Sequence, residues 1–291
     1  MNKHFWICLV GVLCICAVAQ GKKEVLKMKV ASFNILGEGK NKDATPWNNR
    51  STAICLKMHK LQADVMGFQE VDSVQLTDLQ QGLPEYVAIG EKIVPPTNTN
   101  APLPRLNELN AIFYKKNNFR VISNGTFWLS DTPDVISRGW NNTEPNGICW
   151  AVLQHIKTGI SFLYANIHMG KFSPQQRTEA AILVKTYLSK LSNSTPVILA
   201  GDFEATDQDD YYTTLLTRYF PLQDTWTATK PKFNGVTLNA FGMQDLQMRS
   251  DFILTTPNIK IKSLYTEKGS IGGKIYLSDH DILVSEMTIF P

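Results

Sequence analysis

The run PVILAGDFE, Pro196 to Glu204, sets a strand-forming apolar stretch directly before two carboxylates. Gly201 in its middle would let a neighbouring backbone approach closely. Five more apolar runs end the same way, in a carboxylate, an amide or a histidine. They read KVASFNIL (Lys29 to Leu36), ADVMGFQE (Ala63 to Glu70), FLYANIH (Phe162 to His168), SDFIL (Ser250 to Leu254) and LSDHDILV (Leu277 to Val284). Their polar members are Asn34, Glu70, Asn166, His168, Asp202, Glu204, Asp251, Asp279 and His280. Apolar strands bury a sheet core, and functional groups collect at the sheet's rim. Six such endings predict one acidic, histidine-containing rim site, suited to a hard divalent cation and a phosphate ester.

Outward from these runs, strands and helices alternate. Strands are expected at 27–36, 64–69, 86–93, 110–115, 119–128, 148–157, 160–167, 196–201, 249–255, 259–265 and 281–289. Helices are expected at 50–61, 72–82, 174–192 and 207–219. Ser173 followed by Pro174 and Gln176 resembles a helix start with a capping box. The pattern predicts a four-layer α/β sandwich: two mostly antiparallel sheets packed face to face, helices outside. No linker divides residues 20–291, so a single domain is expected, and a monomer.

The 291-residue chain is 43% hydrophobic, ample for a large core. Residues 1–19 are of a different kind. Lys3 and His4 precede the apolar stretch Phe5 to Val18, and Ala17-Val18-Ala19 gives a small-x-small cleavage pattern. This reads as a secretory signal with Gln20 as first mature residue, and a secreted or periplasmic protein. Cys8, Cys14 and Cys16 leave with it. Cys55 and Cys149 remain, as two buried thiols or a single bridge. Without Lys3 the balance is 28 basic against 26 acidic residues. That argues for neither a nucleic-acid nor a membrane-surface partner.

Phosphoester cleavage needs a cation for the phosphoryl oxygens, a base for water, and donors for developing charge. Glu70 ends an apolar strand and is the foremost metal-ligand candidate. Asp251 could orient His280 by accepting its ring N–H. His168 shares a strand face with Asn166. His59 and His155 read as structural.

In order, the chain holds SFNIL, Trp47-x-x-Arg50, GFQEV, NAIFYKK, FWLSDTPDV, GW, NIH, GDFE, RSDFIL and SDH. This ordered set resembles the endonuclease/exonuclease/phosphatase superfamily over nearly all of 27–289. The WLSDTPDV and RGW segments resemble a secreted bacterial branch. The resemblance implies a phosphoesterase in which Asn34, Glu70 and Asp279 hold Mg²⁺ or Mn²⁺. Asp202 would position or activate water. His280, oriented by Asp251, would be a general base or a phosphate-binding imidazolium. His168 and Asn166 would contact the phosphate.

Two positions depart from that pattern. Glu204, a catalytic candidate, stands where the family carries Asn, and an ionised glutamate cannot donate to a phosphate oxygen; it reads as a metal ligand, a protonated donor or a sign of weakened catalysis. His168-Met169-Gly170-Lys171 replaces the branch's His-x-Asp-His; Lys171 can supply a cation there or stand as a solvated loop residue. The loop 94–107 and the stretch 130–147, with Arg138 and Trp140, are expected to line the cleft. The expectation is a secreted, Mg²⁺-dependent hydrolase of a phosphodiester. The alternatives are a catalytically weakened binding protein on the same scaffold, or a phosphomonoesterase for a sugar or inositol phosphate.

Overall fold

The computed structural model describes residues 24–40, 45–90, 108–140, 142, 144–217, 219–231 and 233–291. The secretory signal and the loop 94–107 lie outside these. The first half runs β1 (Leu26–Asn34), α1 (Trp47–Leu61), β2 (Val65–Val71), α2 (Ser73–Gly82), β3 (Tyr86–Ile89) and β4 (Leu109–Lys115). The second begins β5 (Phe119–Trp128), β6 (Gly147–His155), β7 (Ser161–His168), α3 (Pro174–Ser192) and β8 (Val197–Asp202). It continues α4 (Asp210–Leu216), β9 (Gln223–Asp224), α5 (Thr225–Thr229), β10 (Asp251–Thr255), β11 (Ile259–Glu267), β12 (Ser270–Ile271), β13 (Ile275–Tyr276) and β14 (Ile282–Ile289).

Two six-stranded sheets result, ordered β11-β14-β1-β2-β4-β3 and β5-β6-β7-β8-β10-β9. Each has one parallel pair, β1 with β2 and β7 with β8, among antiparallel neighbours. The expected sandwich is therefore the observed one.

Period-two alternation explains why the central strands read as continuous apolar runs: both of their faces are covered. Val30, Val65, Ile112, Tyr164, Ile198 and Leu283 form the layer between the sheets. Phe33, Met66 and Phe68 turn the other way, under Ile54 and Met58 of α1 and Leu79 of α2. Leu163, Val197 and Leu199 pack under Val184 and Leu188 of α3. The capping box at α3 forms: Ser173 Oγ accepts from Gln176 N–H, and Gln176 Oε1 from Ser173 N–H. Cys55 and Cys149 are buried and make no disulfide.

Three local expectations change. Helix 207–219 shrinks to α4, because Asp209 folds back on Thr206 and the helix starts only at Asp210. Helix α1 starts earlier, at Trp47, whose N–H is taken by Glu38 Oε2 at 2.8 Å. The short elements β9, α5, β12 and β13 carry too few residues to show a period.

Candidate active site

The two parallel pairs build the site. Parallel neighbours end at the same rim, so Asn34 and Glu70 emerge together from the first sheet, and His168 and Asp202 from the second. The registers Asn34–Gln69 and His168–Asp202 fix this. The antiparallel neighbours bring their starts to that rim: Asp251 lies opposite Asp202, and Asp279 and His280 lie one residue before β14. Gly201 is required by the β7–β8 approach, since a Cβ there would sit 1.9 Å from the Ile167 carbonyl oxygen. Glu70 and Glu204 hold left-handed backbone, φ 60° and 50°. Such conformations in non-glycine residues cost energy and cluster at functional sites.

His280 stands between two carboxylates. Its Nδ1 lies 2.8 Å from Asp251 Oδ2, and its Nε2 lies 3.5 Å from Asp202 Oδ2. Burial alone would lower its pKa, but Asp251 and Asp202 outweigh burial and hold it well above the ordinary histidine range. Burial pushes Asp202 up to about 6 despite His280, with Asp251 adding to the rise. Thr237 Oγ1 accepts from the Ser250 and Asp251 N–H groups, and Ser278 Oγ from the N–H of His280. Asp279 is held by its backbone, whose carbonyl accepts from Asn239 and Ala240. Burial raises its pKa, with Glu70 adding to the rise.

On the opposite side, His168 Nε2 lies 3.4 Å from Glu204, 3.7 Å from Glu70 and 3.8 Å from Asp202. Burial opposes its charge, yet the Glu204 hydrogen bond and the Glu70 and Asp202 charges raise its pKa to about 9. Glu70 drops to about 2: burial pushes it up, but His168, Lys40, Gly37 N–H and Asn34 prevail. Asn34 Nδ2 bridges Glu70 Oε1 (3.1 Å) and Asp202 Oδ2 (2.9 Å). Its oxygen accepts from Leu36 N–H, so presenting that oxygen to an ion requires the amide to turn over.

Two groups here could hold a cation: ligand atoms of His168, Asp202 and Glu204 lie within 4.8 Å of one another, as do those of Asp202, Asp251 and His280, and neither group includes Glu70 or Asp279. The groups that crowd Glu70 now, the Asn34 amide, the Lys40 ammonium at 3.3 Å and the His168 imidazole, all present positive hydrogens where a cation would be favoured.

Not every expected residue reaches the cleft. Asn166 is fully buried, with Nδ2 donating to the Phe68 and Ala111 carbonyls and Oδ1 accepting from Gln69. It clamps the two sheets together, and its amide has nothing left for a phosphate. Trp140 packs edge-on to Phe172 and donates to Asp131. Arg138 is exposed on the same stretch. Neither is among the residues lining the adjoining cavity, which Trp128 lines instead. Lys171 does line it.

Two contributors carried no signal as chemistry. Lys40 bridges Glu70 and Glu108 (2.6 Å) from a loop without periodicity. Arg50 is buried and donates to the carbonyls of Ile35, Leu36 and Leu277, tying the ends of β1 to the segment before Asp279. Its place in Trp47-x-x-Arg50 was the available clue.

The model of the Endonuclease/Exonuclease/phosphatase family matches residues 31–280. The crystal structure of an endonuclease/exonuclease/phosphatase from Bacteroides vulgatus is 27% identical, with a TM-score of 0.80 over 90% of this chain and 98% of that one. A mannosyl-6-phosphatase of Bacteroides thetaiotaomicron is 27% identical, with a TM-score of 0.77 over 89% and 99%. An uncharacterised protein of Acanthamoeba polyphaga mimivirus is 25% identical over 198 residues, 65% of this chain and 70% of that protein.

Proposed function

The chain belongs to the Endonuclease/Exonuclease/phosphatase family, and from that premise we propose that it is a secreted, Mg²⁺- or Mn²⁺-dependent hydrolase of a phosphodiester, acting by attack of water. The observation that carries the reading is His280 held between Asp251 and Asp202 beside the Glu70–Asn34–His168 group. Glu70, Asn34 and Asp279 would hold the cation, which when bound neutralises phosphoryl oxygens. Asp202, raised by burial, sits where it can orient a water and share a proton with His280 Nε2. Asp251 keeps the ring turned by accepting from Nδ1. His168 supplies the second positive charge at the phosphate, with Glu204 holding it charged. Secretion is supported by the basic start, apolar core and Ala17-Val18-Ala19 of residues 1–19.

A second reading, a phosphomonoesterase, is favoured by the likeness to the mannosyl-6-phosphatase. Hydrolysis of bis-p-nitrophenyl phosphate against p-nitrophenyl phosphate separates the two. The expected result is a Mg²⁺-dependent rate on the diester, abolished by EDTA and lowered at least a hundredfold in His280→Ala. No metal-dependent rate on either ester, or full activity in His280→Ala, overturns the hydrolase.

A further inference from the structure

The first sheet carries a second surface, at the end away from the site. Leu26, Met28, Ile259, Met287 and Ile289 turn into the layer between the sheets, so the residues alternating with them face outward. Lys27 of β1 and Lys260 of β11 flank Thr288 of β14 in one row, and Lys29 lies opposite Glu286. Lys262, at the bulge in β11, pairs with Glu286 at 2.7 Å. Nearer the site, the outward residues of β1 and β14 are apolar: Ala31, Phe33, Ile282 and Val284 belong to the core that α1 helps to close. Lysines begin where that cover ends. A groove of about 750 Å³ runs over them, and Val25 and Phe290 also line it. We propose that this face docks the protein on a bilayer containing anionic lipid, with the site turned away from the membrane.

Charge is the first argument. Lys27, Lys29, Lys115, Lys260 and Lys262 stand against Asp64 and Glu286, and both carboxylates are already engaged. Asp64 accepts from the Lys29 N–H at 2.8 Å and faces Lys115 at 3.6 Å, and Glu286 holds Lys262. Lys27 and Lys260 make no ion pair among the described residues. The near-balance of the whole chain hides this surplus, because acids gather at the other end, where Glu38, Glu70, Glu108 and Glu204 line the cleft. Lys27 precedes Asn34 by seven residues of one strand, about 23 Å. An anionic surface attracts the one end and repels the other, and that sets the orientation.

The path of the chain is the second argument. Glu24 and Val25 lead into β1, and Val25 lines this groove. Residues 1–23 join the described chain there, and they hold the apolar stretch Phe5 to Val18 followed by Lys22 and Lys23. Retained, the stretch tethers this end to a membrane; removed, it leaves two more lysines just before Glu24. Phe290 is the third argument. It follows β14 on the outward side and is 49% exposed beside the lysines. An aromatic ring among lysine stems suits the headgroup boundary, where ammonium groups meet phosphates and the ring meets acyl chains. A nucleic-acid backbone would use the same cations, but it has no use for the apolar stretch that joins the chain here.

The test is flotation of residues 20–291, which hold every element of the fold, in EDTA with two kinds of vesicle. One is phosphatidylcholine alone, the other about one-third phosphatidylglycerol. Partition is expected to be at least about tenfold stronger onto the anionic vesicles, and to vanish at about 0.5 M salt. The triple variant Lys27→Glu, Lys260→Glu, Lys262→Glu lowers it at least about tenfold. The triple variant Arg138→Glu, Lys190→Glu, Lys274→Glu changes net charge equally at exposed positions elsewhere and leaves partition within about twofold. If the first variant melts early, Lys27→Gln with Lys260→Gln replaces it, with an expected loss of about threefold. Equal binding to both vesicles, or equal losses in the two triple variants, overturns the surface. An oligonucleotide that strips the protein from the vesicles at equal phosphate concentration assigns the face to nucleic acid and overturns the bilayer. No ester is turned over in these measurements, so they stand apart from the hydrolase reading.

Discussion

Glu204 changes the character of the site through His168. An amide at 204 would donate to a phosphate oxygen, whereas the carboxylate holds the imidazole 3.4 Å away and keeps it protonated. Glu204→Gln is therefore expected to lower the His168 pKa from about 9 toward the ordinary value, read by NMR titration of the ring. An unmoved His168 titration would disprove the coupling. The same shift makes a stability statement for the metal-free protein. A histidine whose pKa is raised by folding contributes stability that is complete below its unfolded value of about 6.5. That contribution drains away as pH rises toward 9. Glu70 works oppositely: its pKa is depressed to about 2, so its contribution is present above about 4.5 and is lost as pH falls through 2. Thermal melting without metal should decline between pH 6.5 and 9, and His168→Gln should flatten that decline. A profile identical in the variant would remove His168 as the cause.

At the scale of elements, β7 and β8 show where reading by periodicity succeeds and where it stops. Alternation correctly puts Asn166 and His168 on one face, but not at one depth: two residues back from the rim, Asn166 is roofed by the first sheet. Asn166→Ala removes three buried hydrogen bonds, to the Phe68 and Ala111 carbonyls and from the Gln69 amide, which keeps Ser32 Oγ. Each such bond contributes about 1 kcal/mol net, so a loss of about 3 kcal/mol is expected in urea unfolding. Turnover by the molecules that stay folded should be nearly unchanged; a collapse in kcat with normal stability would restore the phosphate role. The rim acids were legible because a carboxylate closing an apolar strand has no packing reason to be there. The sandwich was legible because strands covered on both faces read as apolar runs. Lys40, Glu108 and the choice of Trp128 over Trp140 were not, since they depend on how loops cross the rim, and loops carry no period.

For the whole molecule, the site is the seam between its halves. Asn34, Glu70, Asp279 and His280 belong to the first sheet or its flank, and His168, Asp202, Glu204 and Asp251 to the second. Bonds that cross that seam include Asn34 to Asp202, His280 to Asp251 and the buried Asn166 clamp, and the His168–Glu70 and His280–Asp202 pairs cross it too. Five carboxylates at one rim repel one another, and two imidazoles and one lysine offset this only in part. A divalent cation bound there would relieve the repulsion among carboxylates of both sheets, so binding should stabilise the fold as one unit. Saturation at a hundred times Kd contributes about 2.7 kcal/mol. For a domain of this size that is a rise of roughly 5–10 °C in Tm on adding Mg²⁺. Differential scanning calorimetry should show a single transition moving upward, and Glu70→Gln should abolish most of the shift. A Mg²⁺-independent Tm in the wild-type chain, or an undiminished shift in Glu70→Gln, would place the cation elsewhere.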